Sequence, residues 1–394
     1  MKNIPKLRFP EFKDTEPWEQ RKSSDIFYSV SDKNHVDLPV LSASQEFGMV
    51  KRDEIGIDIK YDRDSVKNYK RVNPGQFVIH LRSFQGGFAH SEIEGITSPA
   101  YTILDFSEEN RHCDLFWKEI FTSNNFIKRL ETVTYGIRDG RSISYADFSS
   151  LKFQFPTLPE QERIGSFFQT LDATIASHQR KLEHLKMRKK GLLQKMFPKN
   201  GESFPEIRFP EFTDAWEQRR LGEVAEINPK SILPEEFEYV DLGSVIGTEM
   251  LSHKHETKNT APSRAQRLAK KGDVFYQTVR PYQKNNFLFE QNEQNYVFST
   301  GYAQLRPNGD SRFLLSYLQT QKFVNTVLDN CTGTSYPAIN SSDLSIITIP
   351  LPSLPEQERI GSFFQTLDAT IASHQRKLEH LKTLKKGLLQ QLFP

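Results

Sequence analysis

Several short stretches of this sequence concentrate side chains that could grip a polyanion and read it. In the first half these are Lys51-Arg52, then Lys60, Tyr61, Arg63 and Lys67, then Arg82, Ser83 and Gln85. The loop YGIRDGRSISY adds Arg138, Arg141 and Ser142. In the second half Lys254, Lys258 and Arg264 precede TVRPYQKNN, which carries Arg280, Tyr282, Gln283, Lys284 and Asn285. The loop TGTSYP then supplies Thr334, Ser335 and Tyr336. Arginine, glutamine and asparagine present donors and acceptors that match the edges of guanine and adenine. Glycine loops with hydroxyls and backbone N–H groups suit phosphate oxygens. Any one of these residues could equally be ordinary solvated surface. As a set, on two halves of one chain, they favour double-stranded DNA as the ligand.

The motifs that are missing narrow the chemistry. No GxxxxGK[ST], DEAD, GxGxxG, HExxH or GxSxG sequence occurs. The Asn-Pro pairs, Asn73-Pro74 and Asn228-Pro229, are followed by Gly and Lys, so neither forms the NPP[FY] of a methyltransferase. The two cysteines, Cys113 and Cys331, are far apart and lack CxxC spacing, which excludes a disulfide framework and a cysteine zinc site. Neither a catalytic residue nor a metal site is therefore expected. No apolar run approaches the ~18 residues of a membrane span, and the opening MKNIPKLRFPEF has no apolar signal core. A cytoplasmic protein with no membrane contact is expected. The net charge of +2 hides a near-neutral distribution: residues 1–157 sum to −1 and residues 199–353 to −3. DNA would have to be held by local clusters, not by a bulk basic face.

The elements that would position these clusters are set by a duplication. Residues 158–198 and 354–394 form two 41-residue blocks that differ at four positions, and RFPEF followed by WEQR opens each half. Each block starts with Pro159-Glu160 or its counterpart, a proline and an acid suited to a helix N-terminus. Apolar residues then recur at alternating spacings of four and three. In the first block these are Ile164, Phe168, Leu171, Ile175, Leu182 and Leu185; in the second, Ile360, Phe364, Leu367, Ile371, Leu378 and Leu381. That is a heptad seam, so the blocks read as coiled-coil helices. His178 and Lys189 occupy skipped seam positions, and His178 and His374 read as register-setting polar residues, not metal ligands. Phe167 and Phe363 lie off the seam and need another partner. A helix of about 37 residues would span roughly 55 Å, and pseudo-two-fold symmetry favours antiparallel pairing. The regions between are weakly related: GQFVIHLR ending at Arg82 resembles GDVFYQTVR ending at Arg280.

A chain of this length with two variable regions, each followed by a helix that begins LPEQERI, resembles the specificity subunits of type I restriction–modification systems. The LPEQE helix start and the RFPEF…WEQR opener carry the resemblance, and it covers the whole chain. It implies an α+β fold with two pseudo-symmetric target-recognition domains separated by two long antiparallel helices that form a coiled coil. The recognition domains would be residues 1–157 and 199–353, the central helix 158–198 and the C-terminal helix 354–394. In that family each recognition domain reads one half of a split, asymmetric DNA site, and the helices set the spacer. Two methyltransferase subunits dock on the assembly, and restriction/translocase subunits complete it. S-adenosylmethionine, ATP and Mg would then belong to partner subunits, with no cofactor in this chain. The alternative from the residues alone is a coiled-coil adaptor whose globular regions bind protein. Salt separates the two: phosphate contacts weaken steeply as salt rises, whereas an apolar protein interface barely responds.

Overall fold

A computed structural model describes residues 4–44, 47–55, 65–133, 143–199, 201–333 and 335–393. Lys60, Tyr61, Arg63, Arg138, Arg141, Ser142 and Thr334 lie outside the described residues. The chain divides into two compact units, one of residues 1–178 with 377–394 and the other of residues 179–376. Each unit therefore contains one globular region and parts of both long helices.

The long helices run Leu158–Lys195 and Leu354–Leu392. The first stops three residues before the end of its repeat, and Met196 and Phe197 turn into the core of the second unit. In the first unit the Lys385 ammonium lies 2.7–2.8 Å from the Asp172 carboxylate. Leu392 there shares a core with Ile164 and Phe168. In the second unit Lys189 pairs with Asp368 at 2.5 Å, and Phe197 stacks on Phe364 with ring centres 6.1 Å apart. Within each unit, numbering that rises along one helix falls along the other, so the segments are antiparallel. Ile164, Phe168, Leu182, Leu185, Ile360, Phe364 and Leu378 are buried, while Leu171, Ile175, Leu367, Ile371 and Leu381 are half-buried. The heptad pattern thus marks the packed stripe.

The repeated opener and the repeated helix start are two parts of one device. Arg8 of the first RFPEF reaches Glu160 through Nε and Nη2 at 2.7 and 2.6 Å, and the pair is buried. Its remaining N–H groups donate to the carbonyls of Thr15 and Glu16. Arg208 grips Glu356 in the same way at 2.7 and 2.8 Å and donates to the Asp214 carbonyl. Such forked pairs fix geometry as well as energy. Gln161 donates to the Pro156 carbonyl and accepts from the Cys113 N–H; Gln357 does the same with Pro352 and Asp310. The off-seam Phe167 and Phe363 meet Phe9 and Phe209 edge-on at 5.7 and 6.0 Å, with Arg163 and Arg359 over the latter rings. A Cβ on Gly361 would collide with Asp310 Oδ1 and come 2.8 Å from the Phe313 nitrogen. Glycine there admits the start of the helix Ser311–Leu318.

Both globular regions are built on one antiparallel sheet plan. In the first the order is Phe27–Val30, Thr102–Phe106, Phe77–Ile79, Ala89–His90. In the second it is Ala225–Ile227, Tyr302–Pro307, Val274–Gln277, Phe287–Leu288. The WEQR segments form edge pairs, Glu19–Lys22 with Lys152–Phe155 and Glu217–Arg220 with Thr348–Leu351. What differs is attached to this scaffold. The second unit carries another four-stranded sheet in which Glu236–Val240 and Tyr296–Ser299 run parallel. The first carries two small antiparallel pairs, Leu41–Ser44 with Gly48–Lys51 and Lys70–Val72 with Gly95–Thr97.

Candidate nucleic-acid interface

The strand Val274–Gln277 is an inner strand of the second unit's sheet, and the segment after it delivers the best-formed cluster. Proline at 281 starts a single 3-10 turn, Pro281–Gln283, bounded by Arg280 and Lys284 in the left-handed region at φ 55° and 57°. The other described non-glycine residues with positive φ are Asn34 and Asn228, and asparagine adopts that conformation at less cost than arginine or lysine. Two strained residues around one turn must be held by their surroundings. They are. The Arg280 N–H donates to the Pro337 carbonyl at 2.8 Å, and Asn286 Oδ1 accepts from the Gln277 N–H at 2.9 Å. Lys284 Nζ donates to the Gln319 carbonyl, and Gln319 Nε2 donates back to the Lys284 carbonyl.

The result sorts the sequence-derived residues. The Arg280 guanidinium lies over the exposed Tyr336 ring, 4.5 Å from its centre. Among the described residues none accepts a hydrogen bond from this guanidinium, so its N–H groups are available to a ligand. Tyr282 and Gln283, which follow Arg280, and Ser335, which precedes Tyr336, are exposed. Lys284 and Asn285 serve the turn itself: Lys284 is tied down and its pKa is lowered by burial, and Asn285 accepts from the Gly247 N–H. Lys254 and Lys258 are exposed but paired with Asp241 and Glu235 at 3.3 and 3.2 Å, and Arg264 is exposed.

The first unit also places an arginine and a glutamine after the matching strand, on a different backbone. After Phe77–Ile79 come His80, Leu81 and Arg82, and then the short helix Ser83–Gly86. The Gln85 N–H donates to the Arg82 carbonyl at 2.9 Å; the Gln283 N–H donates to the Arg280 carbonyl at 3.0 Å. Arg-Ser-Phe-Gln and Arg-Pro-Tyr-Gln thus share this hydrogen bond and their place after the matching strand but not their backbone: Arg82 has φ −108° ahead of an α-helical turn, Arg280 φ 55° ahead of a 3-10 turn. Arg82 and Gln85 are exposed, whereas Ser83 is buried and its Oγ accepts from the His80 N–H at 2.8 Å. Buried His80 has its pKa lowered by burial, and its Nδ1 accepts from the Arg82 N–H. Lys51 pairs with Glu54 at 3.8 Å, Arg52 donates to the Ser42 hydroxyl and Lys67 is exposed. Sequence reading stopped its comparison of the halves at the arginine and missed the recurring Arg-x-aromatic-Gln. It also missed the supporting residues His80, Gln277 and Asn286, whose burial no local pattern announces.

Among the described residues no helix is long and apolar enough to cross a membrane, and no group of three His, Cys, Asp or Glu could hold a metal. The chain is similar to the MjaVIII type I restriction enzyme specificity subunit of Methanocaldococcus jannaschii, 25% identical over 315 residues, which covers 74% of this chain and 72% of that one. It is 23% identical over 290 residues to the EcoDI specificity subunit of Escherichia coli, covering 64% and 65%. In fold it resembles the crystal structure of a type I restriction–modification S subunit from M. genitalium, with TM-score 0.61 and 15% identity over 99% of both chains. The family described as the type I restriction modification DNA specificity domain matches residues 118–187 and 213–383. That is well over half of the sequence, and so the chain belongs to the type I restriction–modification DNA specificity family, as a non-catalytic specificity subunit.

Proposed function

We propose that the two units read the two halves of a split, asymmetric site in double-stranded DNA, with the Arg-x-aromatic-Gln turn of each unit directed at base edges. The observation that carries this reading is the recurrence of Arg-x-aromatic-Gln after the matching strand of one sheet plan, in two otherwise different surroundings. A scaffold kept nearly unchanged while its loops diverge is what two half-site specificities on one chain require. The N–H groups of the Arg280 guanidinium suit guanine N7 and O6. The near-neutral globular regions make these local contacts, not bulk charge, the source of sequence preference.

The partners follow from the same reading. Two methyltransferase subunits dock on the assembly, the long helices set the spacer between half-sites, and restriction/translocase subunits join the full complex. S-adenosylmethionine, ATP and Mg are held by those partners, and the complex works in the cytoplasm. Arg280→Ala tests the reading. Binding to the half-site read by the second unit should weaken by about 1–3 kcal/mol, with discrimination at the other half-site intact. A uniform loss on all sequences would make Arg280 a phosphate contact, and no loss would remove this turn from the interface.

A further inference from the structure

Gln277 ends the inner strand of the second unit and is 2% exposed. Its Nε2 donates twice, to the Val279 carbonyl at 2.7 Å and to Gln283 Oε1 at 2.8 Å. A backbone carbonyl can only accept. The bond to Val279 therefore fixes which end of the Gln277 amide faces the turn: it is the NH2 group. One N–H goes to Val279, and the other requires an acceptor on Gln283. The oxygen of Gln283 is thus turned inward and its own NH2 outward. This orientation follows from the chain of donors and acceptors. The reverse would set Gln277 Oε1 against the Val279 oxygen. The observed arrangement holds even though Gln277 Oε1 is buried without a partner among the described residues.

We propose that Gln277 is a positioning residue that sets the hydrogen-bond polarity of Gln283, so that the Gln283 amide presents its donors outward. This rests on the DNA reading given above and sharpens it. A freely turning glutamine is suited to adenine, where its oxygen accepts from N6 and its nitrogen donates to N7. With its oxygen held inward, Gln283 instead matches an edge that offers acceptors alone, the N7 and O6 of guanine. Next to it Arg280 carries the same preference. In the first unit the residue that ends the matching strand, three before the arginine, is Ile79, which has no amide to orient Gln85, so the rule belongs to the second unit.

The test uses the full chain assembled with the methyltransferase subunits of its own system and duplexes randomised through the second half-site. Bound duplexes are sequenced for wild type, Gln277→Leu, Gln283→Ala and the double variant. Gln277→Leu removes both donors at similar length, and retained selection of the first half-site with an unchanged melting profile shows that it folds. At the base pair whose preference Gln283→Ala erases, wild type should choose guanine over adenine by roughly tenfold. Gln277→Leu should reduce that choice to about threefold or less while preferences at the other pairs persist. The double variant should match Gln283→Ala alone. Gln283→Glu, which turns accepting oxygens outward, should shift the choice at the same pair toward adenine or cytosine. The inference is overturned if wild type prefers adenine there, or if Gln277→Leu keeps the full guanine preference that Gln283→Ala destroys. If Gln283→Ala and Arg280→Ala both leave every preference in the half-site unchanged, the turn does not read DNA, and the underlying reading fails with the inference.

Discussion

Replacing Arg8 with Leu should destabilise the first unit by more than any surface ion pair could. The Arg8 side chain is 7% exposed and that of Glu160 1%, so the pair is cut off from water. An exposed pair contributes at most about 1 kcal/mol. Removing one partner of a buried pair instead strands a charge, at a cost of about 3–5 kcal/mol. Arg8 also satisfies the Thr15 and Glu16 carbonyls, at 3.0 and 3.1 Å, which places the loss toward the upper part of that range. For a unit of this size each kcal/mol moves the midpoint by about 2–4 °C, so the drop should be roughly 6–20 °C. Calorimetry on Arg8→Leu, Glu160→Leu and the double variant forms a cycle. The double variant should be more stable than the worse single one, because it leaves no stranded charge. The duplication supplies an internal repeat: Arg208→Leu should behave alike but cost somewhat less, since that side chain is 13% exposed. Single variants that each lose less than about 1 kcal/mol, with an additive double, would refute the idea that opener and helix start clamp each other.

Leu378→Ala should cost about 2–5 kcal/mol by urea denaturation, because the side chain is 2% exposed in the seam; no loss would misplace the packed stripe. Gly361→Ala should cost about 1–3 kcal/mol, since the Phe313 backbone that its Cβ would meet at 2.8 Å cannot simply rotate away; an unchanged midpoint would show that the helix start can shift. Glu119 is 3% exposed and lies 3.2 Å from Lys385, and burial raises its pKa above the ordinary 4.5. The folded state holds that proton more tightly, so its stabilisation is present at low pH and is lost as pH rises from 4.5 through the raised folded value. Stability of wild type relative to Glu119→Gln should therefore fall over that window in paired denaturant melts; parallel profiles would contradict it.

The long helices were legible because their pattern is redundant: six apolar positions in each repeat point to one stripe, and burial follows it. The repeated sheet scaffold was legible for a related reason, since a duplicated block announces a duplicated scaffold. The meaning of LPEQE and RFPEF was not. The partners Arg8 and Glu160 are 152 residues apart, and sequence spacing says nothing about a contact made by folding. The interface divides in the same way. Residue type singled out Arg280, Tyr282, Gln283 and Tyr336 as candidates, but type alone could not separate these, exposed or half-buried at the surface, from Lys284 and Asn285, which brace the turn. Ser83 looked like a contact residue and is a buried acceptor for a backbone N–H. Gln277 carried no local signal, because a glutamine at the end of an apolar strand reads as a strand terminus until its two acceptors are seen.

The central claim is that each unit reads one half-site and that the difference lies in the variable regions. It is tested most directly by replacing residues 220–353 with a second copy of residues 22–157 and sequencing the DNA selected by the assembled complex. Two copies of one reading surface on antiparallel repeats should select a symmetric site, with the first half-site present twice in inverted orientation and the second half-site gone. A chain so altered that still selects the original asymmetric sequence, or that binds DNA with no sequence preference while remaining folded, would contradict it.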